Sequence, residues 1–448
     1  MFNKKRNILY VVVLFLTMFI ASCSSNAPPA GGASESGNRA ETTAAAAGNT
    51  SDLEKVTITY SFYGGQESID NEESFMQSYM DANPNVTIEG TYTDGGEYPT
   101  KLQTYFASGT APDVMRLAAD MYGDFAEKGL FLDITDQAND ILEEMIPFAV
   151  DSFTMDGKVY AIPFCTKPYM IIYNKQIFDA AGVSYPESGW TEDDFIETAI
   201  KLTEGEGVEK IWGANFGWIT SEMIKNWYGV GSGPINNESY EVNIKGNEKF
   251  KHLLSLLHKL YIELQVVPDS VAAESVGGGF ETGKFAMAIG GYWDVAGLQK
   301  VVADSWEWDF APFPTHPEYG RWHCGLRVDG IGLSPSGKYV DTALDFASFY
   351  VTSGDVMLKC YDSIPTLMSY VYSDDYINTF LPEWPNKFNK EVLIEGNEFG
   401  FPIYWTGVWG KLYDEIWKQY SEFILGNISL DEAIDLMQTN CEVIMADR

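Results

Sequence analysis

The chain of 448 residues has few of the residues that build metal sites and disulfide frameworks, and few basic residues. Its five cysteines include no C-x-x-C pair and its four histidines no H-E-x-x-H pair, so we expect no metal site and at most one disulfide. Lys and Arg number 29 against 64 Asp and Glu, which gives a net charge of −35. Such a surface repels phosphate backbones, which argues against nucleic-acid binding.

Two enzyme signatures are also incomplete. The segment Gly278–Phe285 fits the start of a phosphate-binding loop, but Phe285 stands where a Mg²⁺-binding Ser or Thr is required. The sequence has no G-x-S-x-G nucleophile motif. We therefore predict no catalytic residue and no cofactor. Paired carboxylates for glycoside cleavage stay open, because 64 acidic residues offer many pairs and the required separation is spatial.

Aromatic residues, in contrast, are abundant. They make up 14% of the chain and include 12 Trp and 26 Tyr. Flat amphipathic rings are the side chains against which sugars and other hydroxylated ligands stack, although any single ring can equally be part of a core.

The first 54 residues read as a targeting segment and a tether. Three basic residues precede an apolar run from Ile8 to Ile20, which is typical of an export signal, and we predict a signal peptide over residues 1–22. The ending Ile-Ala-Ser-Cys resembles the lipobox of bacterial lipoproteins, which implies that Cys23 is acylated. Residues 23–54 are mainly small and polar, so they predict a flexible linker behind the lipid.

From Val56 onward, strands alternate with helices. An alternating strand at Val56–Phe62 is followed by an amphipathic helix and a second strand, which predicts a β-α-β unit. A second set of units begins with the strand Tyr169–Tyr173, and Thr191 with Asp194 predicts the capped start of a helix. We therefore predict an α/β fold of two lobes with the ligand cleft between them.

A series of short motifs then resembles a known family. In chain order they are YPTKLQTYFASGTAPDV (98–114), FAEKGLFLDIT (125–135), DGKVYAIP (156–163), YNK (173–175), GWT (189–191), GKFAM (283–287), GGYW (290–293) and APFP (311–314). Their order and spacing resemble the extracellular solute-binding proteins of ABC importers, family 1, the maltose-binding-protein-like sugar binders.

The resemblance implies a periplasmic-binding-protein-like fold in which each lobe is a mainly parallel sheet flanked by helices. The chain is expected to cross between lobes near Pro163, near Phe313–Gly325 and near Ile364–Pro365. The N-terminal lobe would then contain residues 55–163 plus 326–363. The C-terminal lobe would contain residues 164–325 plus 364–448.

The resemblance also implies which loops face the ligand. Hydroxyl groups need polar donors and acceptors, while the C–H faces of sugar rings pack on aromatics. The implied ligand-binding residues are Tyr63, Gly65, Asp120, Lys167, Tyr169, Trp227, Trp293, Asp294, Arg327, Asp329, Tyr404, Trp405 and Trp409.

Such a protein is expected to be a monomeric receptor, held by its lipid on the extracellular or periplasmic side of the cell membrane. It would capture a carbohydrate, with an oligosaccharide favoured, and deliver it unaltered to the transmembrane subunits of an ABC permease. Two alternatives stay open: a secreted glycan-degrading enzyme, and a binder of a non-sugar solute on the same fold.

Overall fold

The structure is a computed structural model that describes residues 54–64, 66–217, 219–236, 239, 241–291, 294–303, 305–323, 325–353, 364–371, 373, 392, 396, 400 and 408–446. The strands in these ranges are β1 (Val56–Tyr63), β2 (Val86–Thr93), β3 (Val114–Ala118), β4 (Thr154–Met155), β5 (Lys158–Val159), β6 (Ala161–Lys167), β7 (Tyr169–Asn174), β8 (Trp212–Asn215), β9 (Phe285–Gly291), β10 (Trp308–Ala311), β11 (Thr315–His316), β12 (Gly320–Arg321), β13 (Arg327–Leu333) and β14 (Ile364–Pro365). The helices are α1 (Gln66–Ala82), α2 (Tyr98–Ser108), α3 (Ala119–Glu127), α4 (Asn139–Leu142), α5 (Pro147–Asp151), α6 (Lys175–Ala181), α7 (Glu192–Leu202), α8 (Ile219–Asn226), α9 (Glu248–His258), α10 (Ser270–Ser275), α11 (Asp294–Val302), α12 (Val340–Thr352), α13 (Met368–Val371), α14 (Trp409–Ile424) and α15 (Leu430–Ala446).

Six strands form the larger sheet, in the order β14-β6-β13-β3-β1-β2. β1 lies parallel to β2 and to β3, and helix α1 connects β1 to β2. β13 lies antiparallel to β3 and β6, and β14 lies antiparallel to β6. Strands β1, β3 and β6 therefore run in one direction and end at the same edge, where β13 begins.

Four strands form the smaller sheet, in the order β10-β7-β9-β8. β8 lies parallel to β9, whereas β7 lies antiparallel to β9 and β10 antiparallel to β7. Between β6 of the larger sheet and β7 of the smaller one stands a single residue, Pro168. The end of β6 and the start of β7 are therefore neighbours.

The predicted α/β class is confirmed, whereas the two sheets are mixed rather than mainly parallel. A helical crossover within one sheet returns the chain in the same direction and gives a parallel pair. β6 follows the hairpin β4–β5, and β13 follows the hairpin β11–β12. Neither strand enters its sheet through a helical crossover, so neither has to run parallel to the strand beside it.

Apolar side chains cover the larger sheet. Ile58, Tyr60 and Phe62 of β1 share a core with helices α1 and α12. The Tyr60 ring, for example, lies 5.5 Å from the Phe346 ring, edge to face. Helix α7 packs in the core beside the smaller sheet, where Phe195 lies among the buried residues.

The predicted start of α7 is confirmed in detail. The Thr191 hydroxyl accepts the N–H of Asp194 at 3.1 Å, and the Asp194 carboxylate accepts the N–H of Thr191 at 2.9 Å. These two bonds satisfy backbone donors that a helix otherwise leaves free at its first turn. The cap fixes the position of Glu192, the first helical residue.

The lobe boundaries at 163/164, 325/326 and 363/364 stay predictions. In the larger sheet, strand β6 ends at Lys167, strand β13 begins at Arg327, and strand β14 consists of Ile364–Pro365. Among the described residues, no helix combines the length and the apolar character that a membrane span requires.

Candidate functional site

One edge of the larger sheet collects four of the predicted ligand-binding residues. Tyr63 ends β1, Lys167 ends β6, and Arg327 begins the antiparallel β13 beside Lys167. Asp329, two residues into β13, lies opposite Ala118 at the end of β3. The shared strand direction explains this convergence, because the carboxyl ends of β1, β3 and β6 meet where β13 begins.

Asp329 is the centre of a buried charge network. Its side chain has no exposed surface, and Oδ2 lies 3.0 Å from Nη2 of Arg116 and 3.1 Å from Nζ of Lys167. Burial raises the pKa of Asp329, but the charges of Lys167, Arg116 and Arg327 outweigh it and hold the pKa well below its usual range. Asp329 is therefore an ionised carboxylate that positions cations at the edge.

A second buried carboxylate holds the far side of Arg116. Nη1 of Arg116 lies 2.9 Å from Oε1 of Glu72. Glu72 also accepts hydrogen bonds from the hydroxyls of Tyr60, at 3.0 Å, and Tyr350, at 2.7 Å. Burial raises the pKa of Glu72 above its ordinary value, against the opposing effect of Arg116. Arg116 thus bridges the two carboxylates and is fixed at both ends.

Tyr63 lies against this network. The Arg116 guanidinium stands 5.1 Å from the centre of the Tyr63 ring, a cation–π distance. The Tyr63 hydroxyl is buried without a hydrogen-bond partner among the described residues, and so is Oδ1 of Asp329. Burial, followed by the charge of Asp329, raises the pKa of Tyr63 far above its ordinary value. Buried polar atoms without partners are rare.

The smaller sheet has an edge close to Pro168, where the chain passes from β6 to β7. Tyr169 begins β7 and pairs with Gly291, the last residue of β9. Asp294, the first residue of α11, accepts the N–H of Gly291 through Oδ2 at 3.0 Å. Burial raises the pKa of Asp294 above its ordinary value. Tyr169 and Asp294 therefore lie at the same edge of the smaller sheet, and only Pro168 separates Tyr169 from Lys167 in the chain.

Two other predicted residues lie in different surroundings. Trp227 has no exposed surface and packs 4.9 Å from the Trp322 ring and 5.6 Å from the Phe313 ring. A ring so enclosed is a core residue rather than a surface on which a sugar can stack. Trp409 is half-buried at the start of α14, where its ring centre lies 5.6 Å from Nζ of Lys225.

The remaining predicted residues lie wholly or partly outside the part of the chain that the structure describes. Outside the described residues lie Gly65, Trp293, Tyr404, Trp405 and Cys23. The backbone of Asp120 belongs to α3, directly after β3, while its side chain lies outside the described part. These residues stay predictions.

Arg116 and Glu72 were missed by the sequence reasoning, although one signal pointed to them. Arg116 is the single charge in the apolar strand Val114–Ala118. A charge inside a buried strand needs an ionic partner, so the sequence of this strand indicates a buried ion pair.

A separate cavity of about 500 Å³ opens beside the edge strand β8. Its lining is rich in aromatic rings, including Trp212, Tyr261, Tyr413 and Trp417. None of the predicted ligand-binding residues that the structure describes is among its lining residues.

Comparison with known proteins identifies the family. The profile of the bacterial extracellular solute-binding proteins matches residues 61–357. A maltotriose-binding protein of Pyrococcus abyssi is 22% identical over 293 residues, which cover 64% of this chain and 60% of that protein. A maltodextrin-binding protein of Bacillus subtilis is 25% identical over 213 residues, covering 47% and 49% of the two chains. The chain thus spans three-fifths or less of these relatives.

Solved structures extend the similarity to the whole fold. An ABC substrate-binding protein of Listeria monocytogenes, in complex with cycloalternan, has a TM-score of 0.72 at 22% identity, over 88% of this chain and 100% of that chain. The maltose/maltodextrin-binding domain of Bdellovibrio bacteriovorus, bound to maltotriose, has a TM-score of 0.68 at 19% identity, over 87% and 100%. The two-lobed periplasmic-binding-protein-like fold is confirmed. Because the family profile covers well over half of the residues, the chain belongs to the bacterial extracellular solute-binding protein family.

Proposed function

We propose that this protein is the substrate-binding component of an ABC importer, which captures a carbohydrate, an oligosaccharide in particular, and delivers it unaltered to the permease. The relatives named above bind maltotriose or maltodextrin, and one structural neighbour holds cycloalternan. The observation that carries the proposal is the meeting of Tyr63, Lys167 and Arg327 at one sheet edge. Tyr169, at the edge of the smaller sheet, follows Lys167 by two residues.

The chemistry of these groups suits a polyhydroxylated ligand. Lys167 and Arg327 supply charged N–H donors for sugar hydroxyls, and the two tyrosines supply rings with a polar end. Asp329, which is fully buried, acts as a positioning residue that holds Lys167 by a contact of 3.1 Å. Hydrogen bonds to charged groups contribute about 1.5–3 kcal/mol each, so a few such contacts support selective binding.

The ionised state of Asp329 does not suit the proton donor of a glycosidase. A glycosidase needs one carboxylic acid that donates a proton near neutral pH. Asp329 has a pKa lowered by Lys167 and Arg116, so it stays ionised and has no proton to donate.

Membrane attachment belongs to the same proposal. The Ile-Ala-Ser-Cys sequence ending at Cys23 supports acylation, and the small polar residues of 24–54 support a flexible tether. The anchored protein then delivers its ligand to the permease as a monomer. Changing Cys23→Ser is expected to release the protein from the membrane fraction; a variant that stays as firmly bound as wild type removes the lipid anchor from the proposal.

The main experiment is a ligand panel read by thermal shift and calorimetry. Maltotriose, longer maltodextrins, lactose, mannotriose and cycloalternan are compared with amino acids and short peptides. A ligand at 100 times its Kd stabilises the folded state by about 2.7 kcal/mol, which raises Tm by several degrees. If amino acids or peptides stabilise the protein and the sugars do not, a non-sugar solute is the substrate. New reducing ends after incubation with a glycan would establish an enzyme.

A matched pair of lysine variants then tests the site. Lys167 lies 3.1 Å from Asp329, and Lys175 lies 3.1 Å from Asp309 at the other end of β7. Both ion pairs are largely buried. We expect Lys167→Met to lower affinity for the cognate sugar about 10- to 100-fold, the loss of one charged hydrogen bond, and Lys175→Met to leave it unchanged. Equal losses in the two variants would contradict the placement of the site.

A further inference from the structure

Three side chains of the kinds that bind metals meet beside the smaller sheet, although they lie far apart in the sequence. Glu192 begins α7, His252 lies within α9, and His316 ends β11. One ligand atom from each of the three side chains lies within 4.8 Å of the other two. No short motif contains any two of them, which explains why the sequence predicted no metal site.

The carboxylate of Glu192 is held with one oxygen toward the histidines. Its Oε2 accepts hydrogen bonds from the Tyr228 hydroxyl at 2.6 Å and from Nε1 of Trp322 at 2.7 Å. Its Oε1 lies 2.7 Å from Nε2 of His252. The Glu192 side chain is only 5% exposed. Outer contacts that fix a ligating carboxylate in this way are characteristic of metal sites.

Ring contacts orient His316 toward the same point. Its ring stacks on Tyr319 at 4.5 Å with an angle of 14° and lies 4.6 Å from the His252 ring. Its Nδ1 accepts the N–H groups of Glu318 and Tyr319 at 3.2 and 3.1 Å. This arrangement leaves Nε2 of His316 as the nitrogen that does not face the hairpin backbone.

We propose that Glu192, His252 and His316 form a binding site for a divalent transition-metal ion, and that zinc suits the site best. Two imidazole nitrogens and a carboxylate oxygen are a common zinc ligand set, with a fourth position left to water. Ligands about 2.0–2.2 Å from a tetrahedral ion lie about 3.3 Å apart. The Glu192–His252 contact of 2.7 Å has to open only slightly to admit the ion.

The ion exchanges existing contacts for stronger ones. It replaces the hydrogen bond between Glu192 and His252, so the proton on Nε2 of His252 moves to Nδ1 of the same ring. In His316 the ring proton likewise moves from Nε2 to Nδ1, which gives up the two backbone bonds there. In return it ties together α7, α9 and the hairpin β11–β12. The net charge of −35 on the chain favours the uptake of a cation. The site is structural, and it lies outside the predicted ligand-binding residues.

The experiment uses the protein without an affinity tag, stripped with EDTA and dialysed. Calorimetry with ZnCl₂ is expected to show one strong site per chain, and saturating zinc is expected to raise Tm by several degrees. Cobalt added in place of zinc is expected to give the visible absorption of a tetrahedral site. His252→Gln and His316→Gln are each expected to weaken zinc binding at least tenfold.

His258→Gln is the matched control. His258 lies on the same helix as His252 and also faces a glutamate, with Nδ1 3.1 Å from Glu263, but it is not part of the cluster. It is expected to leave zinc affinity unchanged. The inference is overturned if wild type binds no zinc, if the His252 and His316 variants bind as tightly as wild type, or if His258→Gln weakens binding as much as they do. Sugar binding is not the readout, so this result is independent of the proposed function.

Discussion

Replacing Asp329 by Asn tests whether buried charges organise the edge at which the ligand is proposed to bind. The carboxylate has no exposed surface and contacts Arg116 at 3.0 Å and Lys167 at 3.1 Å. Asn has nearly the same shape as Asp, so the change removes one negative charge and leaves the packing in place. The measured effect therefore reports electrostatics.

The structure sets the size of that effect. In the variant Arg116 keeps Glu72 at 2.9 Å, whereas the buried ammonium of Lys167 loses the carboxylate beside it. Removing one partner of a buried ion pair costs about 3–5 kcal/mol. The folded-state pKa of Asp329 lies below the unfolded value of about 3.9. Its contribution is therefore fully present above that pH and is lost as the pH falls toward the folded pKa.

The assay is denaturant unfolding of the ligand-free protein at pH 7 and at pH 3. Asp329→Asn is expected to lose about 3–5 kcal/mol at pH 7 and less at pH 3. Asp435→Asn is the control, because Asp435 contacts Lys245 at 2.8 Å with both side chains more than half exposed. Such a pair contributes about 0–1 kcal/mol. A loss at pH 7 no larger than that of the control would refute the reasoning.

Three further predictions follow from the structure. Burial, with a smaller effect of Arg321, lowers the pKa of His323 to about 3, so stability is expected to fall as the pH drops below about 6.5, by up to about 1.4 kcal/mol per unit. His323→Asn should flatten this dependence between pH 7 and 5 in urea unfolding, and an unchanged slope would contradict the reasoning. In Gly330→Ala the new Cβ would lie 2.6 Å from the Phe153 ring, so we expect the free energy of unfolding to fall by about 1–3 kcal/mol. The new Cβ of Gly297→Ala in α11 meets no atom within 4 Å, so this control variant should not be destabilised. Equal Tm values for the two variants would contradict this prediction. Small-angle scattering should show a smaller radius of gyration with the cognate sugar, and an unchanged radius at saturation would count against closure of the lobes.

Local sequence signals predicted much of the fold because they act over a few residues. The alternation from Val56 predicts a strand that the structure extends to Tyr63, and the Thr191 capping box marks where α7 begins. The carboxyl ends of strands follow from those strand positions. The choice of Tyr63 and Lys167 as ligand-binding residues came instead from the family resemblance, and it stays a prediction.

The charge network depends on contacts that no local pattern encodes. Arg116 meets Asp329 because β3 lies beside β13 in the sheet, and it meets Glu72 because helix α1 packs near β3, and no local pattern shows either arrangement. The direction of β13 also escaped prediction, since the chain returns to the larger sheet without a helical crossover. For the same reason Glu192 and His252, 60 residues apart, gave no metal signal.

In the proposed function, the residues on the two sides of Pro168 connect ligand binding to closure of the lobes. Lys167 contacts Asp329 and so is fixed to the larger sheet, whereas Tyr169 pairs with Gly291 and so is fixed to the smaller one. A ligand that touches both residues makes all of its contacts only when the two edges approach. It therefore binds the closed state more tightly than the open one, and that difference in affinity is what drives closure. In the proposed function, residues next to the crossing thus take part in both ligand selection and closure.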